Sequence, residues 1–373
     1  MKIKRIDVFQ ADLPYSGGTY RLSAGREYEV FDATIVRMET DCGLEGWGET
    51  TPFGSTYIAA HALGARAGIT EIAPHLIGRD CRQVDRLYDV MDGALAGHAH
   101  AKAALDVAAW DILGKATGMP CWMLLGGSTA RRMPVISSIP AALPEDMREH
   151  VAEHRSKGFV GHSIKIGAAD VDGGPPLDAA RIEAALADRQ PGEFFLVDAN
   201  GGLTPESALR MLHLLPVGLD FVLEAPCASW RETQSLRSRC RVPIILDELA
   251  QTDADIIQAV SLDLCDGIGL KITKAGGLTP GRRHRDMARA AGMTISVQDT
   301  VGSAIAFAAI AHLGQTVPEK NLRCILDCRA MVTRQMAEFD APIENGGVLT
   351  PDAPGLGVIV DRAELKDPVI SWN

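Results

Sequence analysis

F-F-L-V-D-A-N-G-G, residues 194–202, is an apolar run that stops on Asp198, with Asn200 two positions on and Gly201-Gly202 behind it. A strand that ends on a carboxylate and opens into a glycine turn presents that carboxylate at its C-terminal end. The pattern recurs. F-V-L-E (221–224) ends on Glu224, and V-P-I-I-L-D-E (242–248) ends on Asp247 and Glu248. Successive ends stand roughly 25 residues apart, enough for a strand, a helix and two loops. Three strand-end carboxylates in phase read as a site, and converging carboxylates suit a hard, oxygen-seeking cation such as Mg²⁺.

The period extends both ways. H-S-I-K-I (162–166) carries Lys165 upstream, and P-V-I-S-S-I (134–139) supplies a strand before it. Downstream, I-G-L-K (268–271) ends on Lys271, I-S-V-Q-D (295–299) on Asp299 and C-I-L-D (324–327) on Asp327. Strands alternating with helical patterns at this spacing predict a parallel sheet. Eight such units over residues 126–330 predict an α/β fold, a (β/α)8 TIM-type barrel whose chemistry sits at the C-terminal ends of its strands.

Residues 1–125 lack that period and predict an α+β capping domain. Strands are expected at 2–13, 28–40 and 44–50, and helices near 59–77, 82–95 and 99–117. In the last, Ala101, Ala104, Leu105, Ala108, Ala109, Ile112 and Leu113 form the buried stripe of an amphipathic helix, closed by Gly118 and Pro120. The loops at 16–21 and 51–57 are expected to lie over the barrel mouth, the second bringing Phe53 and Tyr57. His98, His100, Asp106 and Asp111 are expected to be structural. Residues 331–373, rich in Gly and Pro, are expected to return to the cap.

The 373-residue chain has 46% hydrophobic and 23% charged residues, the balance of an ordinary globular protein. A net charge of −11 disfavours nucleic acid and anionic membranes as partners. The eight cysteines form no C-x-x-C, which argues against zinc. With no signal-like or membrane-length apolar run, a cytoplasmic location is expected.

G-W-G-E (46–49), A-L-D-V-A-A-W-D (104–111), L-L-G-G (124–127), I-K-I-G (164–167), V-D-A-N (197–200), L-E-A-P (223–226), L-D-E (246–248) and L-K-I-T-K-A-G-G (270–277) together resemble the enolase superfamily, in its mandelate racemase and muconate lactonizing enzyme branch. The resemblance covers nearly the whole chain. It implies a modified barrel with a cap and a homo-oligomer acting on a small-molecule substrate. It further implies that Asp198, Glu224 and Asp247 hold Mg²⁺ (Mn²⁺ being an alternative) and that Lys165 and Lys271 are the acid–base pair. Glu248 is an alternative third ligand, since alternation along a strand would turn only one of Asp247 and Glu248 inward. Lys274 is likewise an alternative to Lys271. Ser163 stands where the branch usually carries a first lysine.

Removing a proton next to a carboxylate creates concentrated negative charge, which a cation stabilises. A lysine base working near neutral pH is expected to be depressed to about 7–8. Opposed lysines permit either epimerisation or anti elimination. Asp299 and Asp327 are expected to meet a substrate cation, with Asn200 and Tyr57 as further substrate contacts. The sequence resembles members of the branch that handle proline-like amino acids, by dehydrating cis-3-hydroxy-L-proline or by epimerising proline and its betaines. Dehydration is the favoured reading, making this a hydro-lyase acting on an amino acid. A racemase or epimerase is the first rival, then a Schiff-base lyase, a non-catalytic binding protein, and a muconate-type cycloisomerase, which the acids Asp299 and Asp327 would repel.

Overall fold

The computed structural model describes residues 1–373, the side chain of Ala24 excepted. Eight parallel strands, Met133–Ile139, Gly161–Lys165, Phe194–Asp198, Val222–Glu224, Ile244–Leu246, Gly267–Lys271, Thr294–Gln298 and Leu322–Leu326, pair in chain order. The eighth pairs with the first through Ile325 with Val135 and Leu326 with Ile136, which closes the barrel. Helices Pro144–Ser156, Gly174–Leu186, Pro205–Leu214, Trp230–Arg237, Asp253–Ser261, Leu278–Ala290 and Ala304–Gly314 wrap it. Their starts are locally encoded. Thr204, Ser229 and Thr252 each form a reciprocal capping box, and Pro144 and Pro205 occupy first-turn positions.

The eighth unit departs from the expected repeat. No helix follows the last strand; the short 3₁₀ turn Cys328–Met331 takes its place. The chain is instead led back to the cap, where Ser16 N–H donates to Met331 O (2.9 Å) and Thr333 N–H to Pro14 O (3.0 Å).

The cap is an antiparallel sheet of Ile3–Pro14, Val30–Thr40 and Glu45–Thr50, with the C-terminal strand Ile370–Trp372 beside the first. Helices Ala62–Leu76, Val84–Ala94 and Ala99–Thr117 cover one face. The last of these is not amphipathic in the folded chain, since every residue from His100 to Ile112 is buried. It is clamped between sheet and barrel. On one side Gly46 and Gly48 lie so close that an added Cβ would stand 2.1 Å from Ala108 O and 2.0 Å from Ala104 O. On the other, Thr279 donates to Asp106 and accepts from Trp110 Nε1 (2.9 Å). The glycines of G-W-G-E and the small residues of A-L-D-V-A-A-W-D therefore serve one close sheet–helix contact.

Cap and barrel share one apolar core. Polar contacts fix the cap over the barrel mouth: Glu49 accepts from Ser303 N–H (2.8 Å) and Ser303 Oγ, and Thr300 Oγ1 donates to Thr51 O (2.5 Å). Among the described residues no helix is long and apolar enough to cross a membrane.

Candidate active site

The barrel register decides which side chains meet. Lys165 pairs with Asp198, and Asp198 with Glu224, at the last rungs of adjacent ladders. Second, third and fourth strands thus end level, with three ionisable groups in a row. The fifth strand stops at Leu246, so Asp247 and Glu248 lie beyond it and strand alternation does not separate them. Both carry buried carboxyl groups in the site. Gly269 makes room, because a Cβ there would stand 3.0 Å from Glu224 Oε1 and 3.5 Å from the Asp247 Cβ.

Lys165 and Lys271 end the second and sixth of eight strands, diametrically across the barrel. Both are buried and line one cavity with Tyr20, Phe53, Tyr57 and Asp299. Its volume is about 30 Å³, room for one or two waters. Tyr20, Phe53 and Tyr57 from the cap help to confine it.

Lys165 Nζ bonds Asp198 Oδ2 and Ser163 Oγ (3.3 Å), so the serine at the departing motif position still accepts from the lysine. Lys271 Nζ is 2.6 Å from Asp247 Oδ2, donates to the Tyr57 hydroxyl, and lies 4.8 Å from the Tyr57 ring centroid. Tyr57 in turn donates to Asp247 Oδ2 (3.0 Å). Lys274, the alternative to Lys271, does not line this cavity. It clamps the same carboxylate from behind, through Asp247 Oδ1 (2.6 Å), Asp247 O and Gly269 O (3.1 Å).

As the side chains stand, these contacts work against the expected lysine depression. Burial disfavours each ammonium, but Asp198 beside Lys165 and Asp247 beside Lys271 outweigh it and hold both lysines above their ordinary range. Burial likewise works against the Asp247 carboxylate, and the Lys271 and Lys274 charges overcome it and lower its pKa. At Glu224 and Glu248 the nearby lysine charges oppose burial without overcoming it. Burial, then Asp198 and Asp247, push Glu224 up to about 8. Burial, then Asp247 and Asp198, push Glu248 up to about 7.

The donor set fits a hard divalent cation: four carboxyl groups crowd one strand-end cluster, two with raised pKa values, and Glu248 Oε2 and Asn200 Oδ1 are buried without a partner. As the side chains stand, no three acidic, histidine or cysteine groups among the described residues share one coordination point. Lys165 holds Asp198, and Lys271 and Lys274 hold Asp247.

The remaining expected residues divide. Asn200 lines the cavity and donates from its backbone N–H to Asp198 Oδ1 (2.8 Å) and from Nδ2 to Asp198 Oδ2 (3.1 Å) and Glu248 Oε1 (3.1 Å). Asp299 also lines it, accepting from Thr273 and from Thr300 N–H (2.8 Å), and burial pushes it up to about 6. Asp327 does not join them. It faces an adjoining cavity and is bonded by Arg329 through Nε (2.9 Å) and Nη2 (2.7 Å). That pairing neutralises it, so the repulsion expected from an Asp299/Asp327 pair reduces to Asp299 alone. His100 bonds Thr50 Oγ1 (2.9 Å), and burial lowers its pKa to about 3.

Three site residues escape the sequence reading. Tyr20 lies against the cavity with its hydroxyl on Ser138 Oγ, and Gln298 Nε2 donates to Glu224 Oε1 (3.1 Å). Gln298 carried a usable signal, being the residue before a strand-end acid. Tyr20, in the short cap strand Tyr20–Arg21, was signalled only by its place in the segment expected over the barrel mouth, and Ser138, in an otherwise plain strand, carried no signal.

Residues 146–364 match the enolase C-terminal domain-like model, and residues 28–126 match the N-terminal domain of mandelate racemase / muconate lactonizing enzyme. The chain belongs to this family. As a family member it is an enzyme of the enolase superfamily, and its relatives span several activities. It is 38% identical, over 100% of both chains, to the cis-3-hydroxy-L-proline dehydratase of Roseibium aggregatum. It is 29% identical, over 98% of both chains, to the N-succinyl-L-Arg/Lys racemase of Bacillus cereus. A mandelate racemase/muconate lactonizing enzyme from Roseovarius nubinhibens ISM, solved in complex with magnesium, superposes with a TM-score of 0.99 at 60% identity, covering 100% of both chains.

Proposed function

We propose that this enzyme is a Mg²⁺-dependent lyase that converts cis-3-hydroxy-L-proline to Δ1-pyrroline-2-carboxylate and water. The observation that carries the reading is the pair Lys165 and Lys271, facing one small cavity from opposite walls of the barrel. In cis-3-hydroxy-L-proline the α-hydrogen and the hydroxyl lie on opposite ring faces. One lysine, as the neutral amine, takes the α-proton onto Nζ; the other, as the ammonium, gives a proton to the departing hydroxyl. The C–H and C–O bonds break, the carbon–carbon double bond forms, and the enamine tautomerises. Asp198 and Asp247 hold both lysines as ammoniums where the side chains stand, so the neutral base is reached only when its carboxylate turns away; the Lys165 charge also works against an ammonium at Lys271. The full-length likeness to a cis-3-hydroxy-L-proline dehydratase supports the substrate.

Asp198, Glu224 and Asp247 are the residues we assign to Mg²⁺, with Glu248 beside them. When bound, the ion supplies positive charge beside the substrate carboxylate, where negative charge develops. Asp299 is the buried cavity carboxylate with no ion-pair partner among the described residues, and it is the group we assign to the ring ammonium. Tyr57 covers the site and fixes Lys271.

A second reading, epimerisation at the α-carbon, is favoured by the same opposed lysines and by the racemase relative. Proton NMR in D₂O with Mg²⁺ separates the two. Dehydration predicts loss of cis-3-hydroxy-L-proline with Δ1-pyrroline-2-carboxylate appearing, and EDTA stopping it. Deuterium entering the α-position of an intact ring would replace it with epimerisation, and turnover that survives EDTA would refute the metal assignment.

A further inference from the structure

Two cap loops approach the barrel mouth, and one side chain holds both. Ser23, in the short turn Ser23–Gly25, is buried in a notch between the second and third strand ends. A Cβ on Gly167 or on Gly202 would stand 2.7 Å from the Ser23 Cβ, so only glycine at each position admits the loop. Arg26 follows. Its Nε donates to Ser23 O (3.0 Å), its Nη2 to Ser23 Oγ (2.5 Å) and Asn200 O (3.1 Å), and its Nη1 to Thr56 O (3.3 Å). All of these acceptors are neutral oxygens, and they belong to three separate segments: the first cap loop, the second cap loop and the turn after the third barrel strand.

What lies next to each anchor gives the arrangement its consequence. Thr56 is also held by the Tyr28 hydroxyl (2.8 Å) and precedes Tyr57, which bonds Lys271 and Asp247. Asn200 bonds Asp198 and Glu248. A planar guanidinium with five fixed donors spans three segments in a way that a point-like ammonium does not.

We infer that Arg26 is a positioning residue that locks the two cap loops to each other and to the third strand, so that they seat over the cavity as one unit and deliver Tyr57 to Lys271. The loop coupling stands apart from the identity of the substrate; only its effect on turnover rests on the proposed function.

Hydrogen–deuterium exchange of the full chain tests the coupling without turnover. In Arg26→Ala, peptides over 22–28 and over 54–61 gain exchange together, while the cap strand Val30–Thr40 stays protected, and millimolar guanidinium restores both loops. Wild-type protection at 54–61 alongside an opened 22–28 would overturn the inference. If Val30–Thr40 also loosens, Arg26→Lys decides: opening of both loops over a protected strand supports the lock, and protection of 54–61 refutes it. In steady state, a closed form made scarcer raises KM about tenfold in Arg26→Ala with kcat within about twofold. A loss confined to kcat would mark a merely structural role and contradict the inference. If no substrate turns over in wild type either, the proposed reaction fails while the exchange result still stands.

Discussion

Replacing Lys274 by Met tests whether Asp247 depends on a clamp from behind. The lysine is 3% exposed and gives three hydrogen bonds, to Asp247 Oδ1 (2.6 Å), Asp247 O and Gly269 O (3.1 Å). Methionine keeps the unbranched stem and most of its packing, so the change isolates the charge. Breaking a buried pair from one side costs about 3–5 kcal/mol, and each buried carbonyl left without its donor adds about 1 kcal/mol or more. Asp247 keeps Lys271 (2.6 Å) and Tyr57 (3.0 Å), which softens the loss. The expected cost is therefore about 4 kcal/mol. Urea unfolding followed by circular dichroism reads it, with Lys157→Met as comparison. Lys157 makes a solvent-exposed i,i+4 pair with Glu153, and removing such a pair costs at most about 1 kcal/mol. Equal midpoints for the two variants would refute the clamp.

Asp299→Asn removes the carboxylate assigned to the ring ammonium while keeping an oxygen for the Thr273 hydroxyl and Thr300 N–H, which share Oδ1; the Thr273 N–H on Oδ2 loses its acceptor. KM for cis-3-hydroxy-L-proline is expected to rise about 10–100-fold, as for loss of a charged hydrogen bond of about 1.5–3 kcal/mol; an unchanged KM would remove Asp299 from substrate binding. Asp106 predicts a pH effect on stability. Burial raises it to about 7 in the folded chain, against about 3.9 unfolded. The folded state keeps a proton that the unfolded chain has lost between those values, so stability falls as pH rises through this window. The fall is on the order of 4 kcal/mol at 1.36 kcal/mol per pH unit. Asp106→Asn is expected to flatten that slope in unfolding curves between pH 4 and 8, and a parallel slope would reject the assignment.

Much of the barrel was legible because its signal is local and repeated. Apolar strands ending on Asp198, Glu224 and Lys271 appear where the pattern puts them, with their register level across neighbours. The missing eighth helix was not legible, because the residues after Asp327 are diverted by contacts to the distant Pro14 and Ser16. Nor was the burial of Ala99–Thr117 on every face, which arises when two domains close on one helix. Within the site, sequence could place Asp327 at a strand end but not see Arg329 fold back onto it. It could propose Lys274 as a rival to Lys271 but not show both on one carboxylate. Tyr20 and Arg26 reach the barrel mouth from cap segments whose path no periodicity describes.

In the proposed reaction Lys165 and Lys271 act on opposite faces of one substrate. Proton NMR of cis-3-hydroxy-L-proline in D₂O with Mg²⁺ tests it most directly, comparing wild type with Lys165→Met and Lys271→Met. Δ1-pyrroline-2-carboxylate is expected from wild type, with at least about a thousandfold slower appearance from either variant, a loss of about 4 kcal/mol in transition-state stabilisation. If either variant makes the product at the wild-type rate, that lysine takes no part, and the two-faced mechanism is wrong.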